Sequence, residues 1–478
     1  MKSVSEEDGN IFFSSAMMKQ KNKEINIMHI LVINGSPSGD SSITLQTALF
    51  LEQSFKEHSF SYINAASKIR YYEQHFDEVK PQLEQADLIL FAYPVYTFLV
   101  PSQLHRFIEL MKEHTDLQGK YASQITTSKH FYDITAHRFI QDACDDMRMH
   151  YVRGLSADME DLLSKQGQED ALAFFRYVLF NMRNDLHEPR YYREKKTASY
   201  PLPAPLEKKN VLKPWKIAVV CDLSSDTDGR LAAMIARFQN AIGAETKVIR
   251  LDEFPFKGGC LGCFHCAAEG SCIYTDGFDS FLRDNIQTCD ATVYAFTIRD
   301  HSMGYLFKVF DDRQFCNGHR TVTMGKPVGY LVNGDLREEF NLKTVMEARA
   351  EVGGNFLTYI AADTDNIETD IDTLAERMTY ALDHGYETPK NFYGVGGLKI
   401  FRDLIWQMQG LMQEDHRFYK EHGFYNDFPQ KHRAKTAAMY LVGSMMRNKK
   451  LSSKIGSKMT EGMVMPYKAV IEKAKKKN

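Results

Sequence analysis

Twice along this chain an apolar run is followed by a second apolar run and then by a third that opens on Gly-Lys. The first set is "HILVING" (29–35), "ADLILFAYP" (86–94) and "GKYASQITTS" (119–128); the second is "WKIAVVCDL" (215–223), "CDATVYAFT" (289–297) and "GKPVGYLVNG" (325–334). Short apolar runs between turn signals suit strands covered on both faces, the habit of parallel sheets. Helically spaced apolar residues in "ITLQTALFLEQSF" (43–55) and "SQLHRFIELM" (102–111) supply covering helices, and "MHYVRGLS" (149–156) reads as a further strand. The expected class is α/β, with two doubly wound parallel sheets in tandem and right-handed crossovers.

The copies differ in length at one place. Ile30 and Asp87 are 57 positions apart, whereas Ile217 and Asp290 are 73 apart, so the second copy carries 16 extra residues. They follow the strand "TKVIRL" and contain "CLGCFHCAAEGSC" (260–272). In an open α/β sheet the carboxyl ends of strands form the ligand edge, and the insertion sits there. Cys260, Cys263, Cys266 and Cys272 have the spacing C-x2-C-x2-C-x5-C. Thiolates this close repel one another unless a cation neutralises them, which implies a metal. Structural zinc usually takes two C-x2-C pairs from separated segments, whereas C-x2-C-x2-C wraps three corners of a cubane cluster. With one compact set present, Cys272 completes it, and a [4Fe-4S] cluster is expected, with zinc as the alternative. Gly258, Gly259, Gly262 and Gly270 let backbone N–H groups turn toward sulfur. A metal reading also suits a reducing compartment. The N-terminal stretch lacks the order of a secretion signal, and no apolar run approaches the eighteen or so residues of a membrane span, so a cytoplasmic location is expected. Cys144, Cys221, Cys289 and Cys316 then read as scattered free thiols.

A second candidate site lies in the first copy. "NGSPSGDSSITLQ" (34–46) joins a strand to a helix, with Gly35 and Gly39 for tight turns and hydroxyls at Ser36, Ser38, Ser41, Ser42 and Thr44. A helix N-terminus behind such a loop is suited to hold a dianionic phosphate. The loop is neither a Walker motif nor G-x-G-x-x-G. "INGSPSGDSSIT", followed by "ADLILFAYPVYTFLVPSQLHRFIEL", resembles the flavodoxin-like NAD(P)H-dependent FMN reductases and quinone reductases over about residues 28–160. That resemblance implies a flavodoxin-like fold for both copies and FMN in the first. Carried over by position, Ser36, Ser38, Ser42 and Thr44 would bind the phosphate, and Pro94, Val95, Tyr96 and Thr97 would flank the isoalloxazine. Thr127, Ser128, Tyr132 and Asp133 would close over the ring. An aromatic face at Tyr96 also has its own rationale, because a planar ring gains stacking area from it. His137 reads as a helix-surface histidine and His265 as solvent-facing.

The second copy resembles the iron-sulfur flavoproteins through its cysteine spacing and departs from the pattern elsewhere. "CDLSSDTDGR" replaces "GSPSGDSSIT", and Asp222, Asp226 and Asp228 would repel a phosphate. "AFTIRDHSMG" replaces "AYPVYTFLVP", with Arg299 and His301 in place of an aromatic platform.

The expected organisation is an N-terminal tail (1–27), a flavodoxin-like FMN-binding domain (28–194), a Pro- and Lys-rich linker (195–215), a flavodoxin-like domain with the cysteine insertion (216–386) and a helical basic region (387–478). From Lys431 onward, 13 Lys or Arg face only Glu461 and Glu472. A solvated helix face is the simpler reading of that charge, and a net charge of -3 gives no global sign of nucleic acid. The function implied is an FMN- and iron-sulfur-dependent oxidoreductase, passing electrons between a reduced donor such as NAD(P)H and an organic or protein acceptor. The alternatives are a non-enzymatic electron carrier and a zinc-stabilised binding module. A homo-oligomer is expected, because in related flavoproteins the two cofactors can meet across a subunit interface.

Overall fold

Strands β1 (His29–Asn34) and β3 (Leu88–Pro94) are buried at all but one position each, as continuous apolar runs require. The computed structural model that contains them describes residues 27–190, 200–207, 209–211, 213–431 and 433–446, and a few beyond 463. In the first lobe, helix α1 (Ile43–Ser54) links β1 to β2 (Ser59–Ile63), and α2 (Ile69–His75) and α3 (Lys80–Gln85) lead to β3. Then come α4 (Ser102–His114), β4 (Tyr121–Ser128), α5 (Ile134–Asp146), β5 (His150–Tyr151), β6 (Leu155–Asp158) and α6 (Lys165–Arg183). The strand order is β2-β1-β3-β4-β5, all parallel, with β6 also on β4. This is the flavodoxin-like 2-1-3-4-5 order.

The stretch 149–156, expected as one strand, is broken. A Cβ on Gly154 would lie 2.5 Å from the Gln124 carbonyl oxygen, so the chain passes β4 too closely there to stay in register, and β5 and β6 pair separately.

The second lobe repeats the order. It comprises β7 (Lys216–Cys221), α7 (Arg230–Ile242), β8 (Glu245–Arg250), the short helices α8 (His265–Glu269) and α9 (Phe278–Leu282), β9 (Ala291–Thr297), α10 (Tyr305–Arg313), β10 (Pro327–Asn333), α11 (Phe340–Val352), β11 (Phe356–Ala362) and α12 (Ile367–His384). Its sheet runs β8-β7-β9-β10-β11, again parallel. Forty residues separate β8 from β9 where 24 separate β2 from β3, which reproduces the 16-residue insertion.

Two cores cover the outer faces of the sheets. Val32 and Leu90 meet Phe175 of α6 in the first lobe, and Val219 and Val293 meet Met234 and Leu374 in the second. The third core is shared: Leu31 and Phe91 of one sheet belong with Val220 and Phe296 of the other. It is closed by α4 packed on α10 and α5 packed on α11. The lobes therefore face each other through equivalent helices, as two subunits of a symmetric dimer would. Helix α13 (Phe392–Gln407) packs on α11. The chain up to Asp415 forms one compact unit, and His416 onward a second. Helix α14 (Gln413–Glu421) spans that boundary, and α15 (Arg433–Met446) lies in the second unit, where Tyr419 and Phe424 pack edge to face. Much of the basic C-terminal stretch and the N-terminal tail lie outside the described residues.

Candidate functional site

The loop after β1 is ordered by Asn34, a residue not singled out by its sequence pattern. Its buried amide donates to the Gly39 carbonyl (2.8 Å) and to Asn64 Oδ1 (2.8 Å), and its Oδ1 accepts from the Ser36 backbone (3.2 Å). Ser36 Oγ in turn accepts from the Ser38 backbone at 3.3 Å. Ser42 caps α1 through Leu45 N–H alone (3.3 Å), so the N–H groups of Ile43 and Thr44 have no protein acceptor among the described residues. Thr44 reaches across to Thr127 on β4, hydroxyl to hydroxyl at 2.6 Å. The result is a helix N-terminus, positive by its dipole, ringed by hydroxyls and open.

The equivalent helix of the second lobe is closed. Asp226 accepts from the backbone of Leu231 and Ala232, each at 2.9 Å, and so takes the N–H groups that a phosphate would use. Arg230 lies across the same end, paired with Asp363 (3.1 Å) and donating to the carbonyls of Tyr200 and Pro201. The chemistry of the donor set thus fits an anion in the first lobe and not in the second.

The loop after β3 makes a two-residue turn. Tyr96 and Leu99 exchange both backbone hydrogen bonds (2.8 and 3.0 Å), with Thr97 (φ 45°) and Phe98 (φ 70°) left-handed. Non-glycine residues pay about 1–2 kcal/mol each for that conformation, so something must hold it. Lys308 of α10 does so: fully buried, it donates to the Tyr96 carbonyl (3.1 Å) and to Thr97 Oγ1 (2.8 Å), and it pairs with Asp312. Asp312 also accepts from the Ser102 backbone at the start of α4 (2.8 Å). The second lobe has the same turn at Arg299–Ser302, with Asp300 and His301 left-handed. There the side chains turn to the first lobe: Asp300 pairs with Lys112, and His301 lies between Asp146 and Glu339. Burial works against the His301 charge, but its bonds to Asp146 and Glu339 carry its pKa up to about 10.

The cysteine loop is anchored at both ends by Arg313, which donates to the Gly258 carbonyl (2.9 Å) and in a fork to Asp276 (2.8 Å twice). It rests on the first lobe. Gln103 Nε2 donates to the Cys260 carbonyl at 3.1 Å, and a Cβ on Gly262 would fall 1.9 Å from the Tyr96 hydroxyl oxygen. Burial, and then Cys260, Asp312 and Cys263, push the Tyr96 phenol well above its ordinary pKa, so it remains a neutral donor. Gly262 is itself left-handed (φ 64°), which turns its N–H toward Cys260 Sγ at 3.4 Å. Burial raises the Cys260 thiol and, with Asp415 next, lifts Cys266 to about 11. These thiols stay protonated unless a cation arrives. Among the described residues no three of the four sulfurs lie within 4.8 Å of one another.

All four cysteines line one cavity of about 490 Å³ together with the first-lobe loops. Ser36, Ser38, Ser42, Thr44, Pro94, Val95, Tyr96, Thr97, Thr127 and Ser128 are in its wall. Tyr132 and Asp133 are not: Tyr132 (φ 60°) turns its ring between Phe98 and Tyr393, with centroids at 4.9 and 4.7 Å, and Asp133 accepts from Ser156. Phe131 and Lys129 face the cavity instead. His137 is no surface histidine, since its Nε2 bonds Thr126 Oγ1 at 2.8 Å beside the sheet. Cys316, expected to stand apart, is buried in the same wall and within electrostatic reach of Cys272 and Cys266. Its sequence position, 44 residues past Cys272, carried no signal of this.

A strand order of 2-1-3-4-5 with an open phosphate-type loop at the carboxyl edge defines a flavodoxin-like lobe. Residues 28–159 match the sequence profile of the family described as NADPH-dependent FMN reductase. Over those residues the first lobe resembles the flavodoxin-like FMN reductases, a class of flavin-dependent oxidoreductases. The chain is also similar to a protein named iron-sulfur flavoprotein from Archaeoglobus fulgidus, with 24% identity over 176 residues, 34% of this chain and 79% of the relative. Among solved structures, an FMN-dependent NADH-azoreductase from Bacillus anthracis in complex with FMN is 14% identical, covers 34% of this chain and 100% of its own, and has a TM-score of 0.26. An NAD(P)H:quinone oxidoreductase from Methanothermobacter marburgensis is 12% identical, covers 34% and 100%, and has a TM-score of 0.25.

Proposed function

We propose that the chain holds one FMN in the first lobe and one [4Fe-4S] cluster on Cys260, Cys263, Cys266 and Cys272, and moves electrons between a nicotinamide-type donor and an acceptor through this pair. The observation that carries the reading is the shared cavity, in which the cysteine loop of one lobe touches Tyr96 in the flavin-type loop of the other. Ser36, Ser38, Ser42 and Thr44, with the open end of α1, would take the phosphate. Pro94 to Thr97 would border the ring, and Thr127 and Ser128 would border it from β4. Lys308 and Asp312 keep the Tyr96 turn in place and exclude water from its back. Bound FMN supplies two-electron exchange with a nicotinamide and one-electron exchange with a cluster.

The closed end of α7 supports a single flavin per chain. The carrier reading has the C-terminal basic charge in its favour, and turnover with NAD(P)H and a quinone separates it from an enzyme. Anaerobic purification followed by visible spectroscopy and analysis of iron, sulfide, zinc and FMN tests the assignment. One FMN with four iron and four sulfide per chain is the expected result; a colourless protein containing zinc would refute it.

A further inference from the structure

The cavity has an arm that neither the flavin-type loops nor the four cysteines account for. Past Cys316 it runs into the second lobe, between the sheet and helices α10 and α11. Strands β9 and β10 are in a register that sets Tyr294 beside Tyr330 and Thr292 beside Val328. Side chains two apart on a strand share a face, and these four line the arm together. Phe307 from α10, with Met346 and Arg349 from α11, forms the facing wall.

The arm is mostly apolar, yet three hydrogen-bond donors open onto it unused. Arg349 gives Nε (2.9 Å) and Nη2 (2.6 Å) to Asp311 Oδ1, and its Nη1 has no acceptor among the described residues. The hydroxyls of Tyr294 and Tyr330 have no partner there either. These atoms are not sealed by packing: a quarter of the Arg349 side chain is accessible, and Nη1 and both hydroxyls keep surface of their own. Burial pushes the Tyr294 phenol up to about 12 and raises Tyr330 likewise, so both stay protonated and can donate. Each phenol also feels the Arg349 charge without bonding to it, so the three donors converge on one part of the arm with a gap between them.

We propose that this arm binds a small, uncharged aromatic ring carrying a carbonyl group, whose oxygen accepts from Arg349 Nη1 and a tyrosine hydroxyl. A guanidinium can only donate, so the ligand must bring the acceptor. Charge decides between a carbonyl and a carboxylate: Asp311 already neutralises Arg349, so an anion would add an uncompensated charge to an apolar space. Phe307 stands edge to face with Tyr294, whose ring lies 5.5 Å from that of Tyr330, and these aromatic walls suit a planar ring. A site built to hydrogen-bond one group discriminates strongly against an analogue without it.

The test is a fluorine NMR titration of the full chain, as purified, with 4-fluoroacetophenone, 4-fluoroethylbenzene and 4-fluorobenzoate, repeated with the protein saturated in FMN. The ketone should bind one per chain, the other two at least tenfold more weakly, and added FMN should leave the ketone affinity unchanged. The double variant Tyr294→Phe/Tyr330→Phe, which removes only unpartnered hydroxyls and should fold normally, should weaken ketone binding at least threefold. Arg349→Lys, which keeps a cation beside Asp311 but withdraws Nη1, should do the same. Equal binding of the ethylbenzene or the benzoate, competition by FMN, an unaltered affinity in the tyrosine variant, or no binding at millimolar ketone would each overturn the proposal. Binding is read without turnover, so it stands or falls separately from the flavin and cluster assignment.

Discussion

Replacing Gly262 by alanine probes the contact on which the account turns. The added methyl would sit 1.9 Å from the Tyr96 hydroxyl oxygen and 3.0 Å from Cζ. A left-handed φ of 64° also becomes strained, at about 1–2 kcal/mol. Relieving the overlap means moving a buried ring or the cysteine loop by more than 1 Å, and overpacking of this kind costs about 1–3 kcal/mol. The expected loss is therefore about 2–5 kcal/mol. In a Tyr96→Phe background the nearest atom is gone and only the 3.0 Å contact remains, so the loss should fall to about 1–2 kcal/mol, giving a coupling of about 1–3 kcal/mol. Urea unfolding followed by fluorescence, on the four proteins of the cycle, measures it. If Gly262→Ala costs the same in both backgrounds, the cysteine loop does not rest on Tyr96 and the shared cavity is wrong.

Cys266→Ser should abolish bound iron while leaving FMN content unchanged, because the flavin-type loops belong to the other lobe; metal and flavin analysis checks this. Lys308→Met leaves Asp312 buried without its cation and should destabilise the chain by about 3–5 kcal/mol, with a partial recovery when Asp312→Leu is added. His301, raised to about 10 in the fold, stabilises the lobe contact fully below about pH 6.5 and loses that contribution as pH rises toward 10. The difference is on the order of 3–5 kcal/mol, so wild type should lose stability across that window while His301→Gln stays flat. Parallel curves for the two proteins would show that the pair with Asp146 and Glu339 is not formed.

The central strands were legible because burial on both faces leaves an unbroken apolar run, as in "LILFAYP" and "IAVVC". β2 and β11 were not singled out; β2 "SFSYI" lies at a sheet edge and is half exposed, so its pattern is diluted. The hydroxyl loop and the four cysteines were readable from local spacing, since each set lies within one segment. What joins them was not. Lys308 and Asp312 look like ordinary helix charges four residues apart until packing places them against Thr97 and Ser102. Asp226 reads in sequence only as a negative charge; that it caps α7 through the N–H groups of Leu231 and Ala232 needed the backbone. Tyr132, expected from its loop position to close over the ring, has its own ring packed between Phe98 and Tyr393, contacts from distant segments that local spacing does not show.

Anaerobic rapid mixing of the purified chain with a nicotinamide donor reports most directly on the joined site, by following flavin bleaching and cluster bleaching at several protein concentrations. With both groups in the cavity of one chain, cluster bleaching should follow flavin bleaching at a rate independent of protein concentration. A rate that rises in proportion to protein concentration, or a cluster that stays oxidised while the flavin is reduced, would contradict the account.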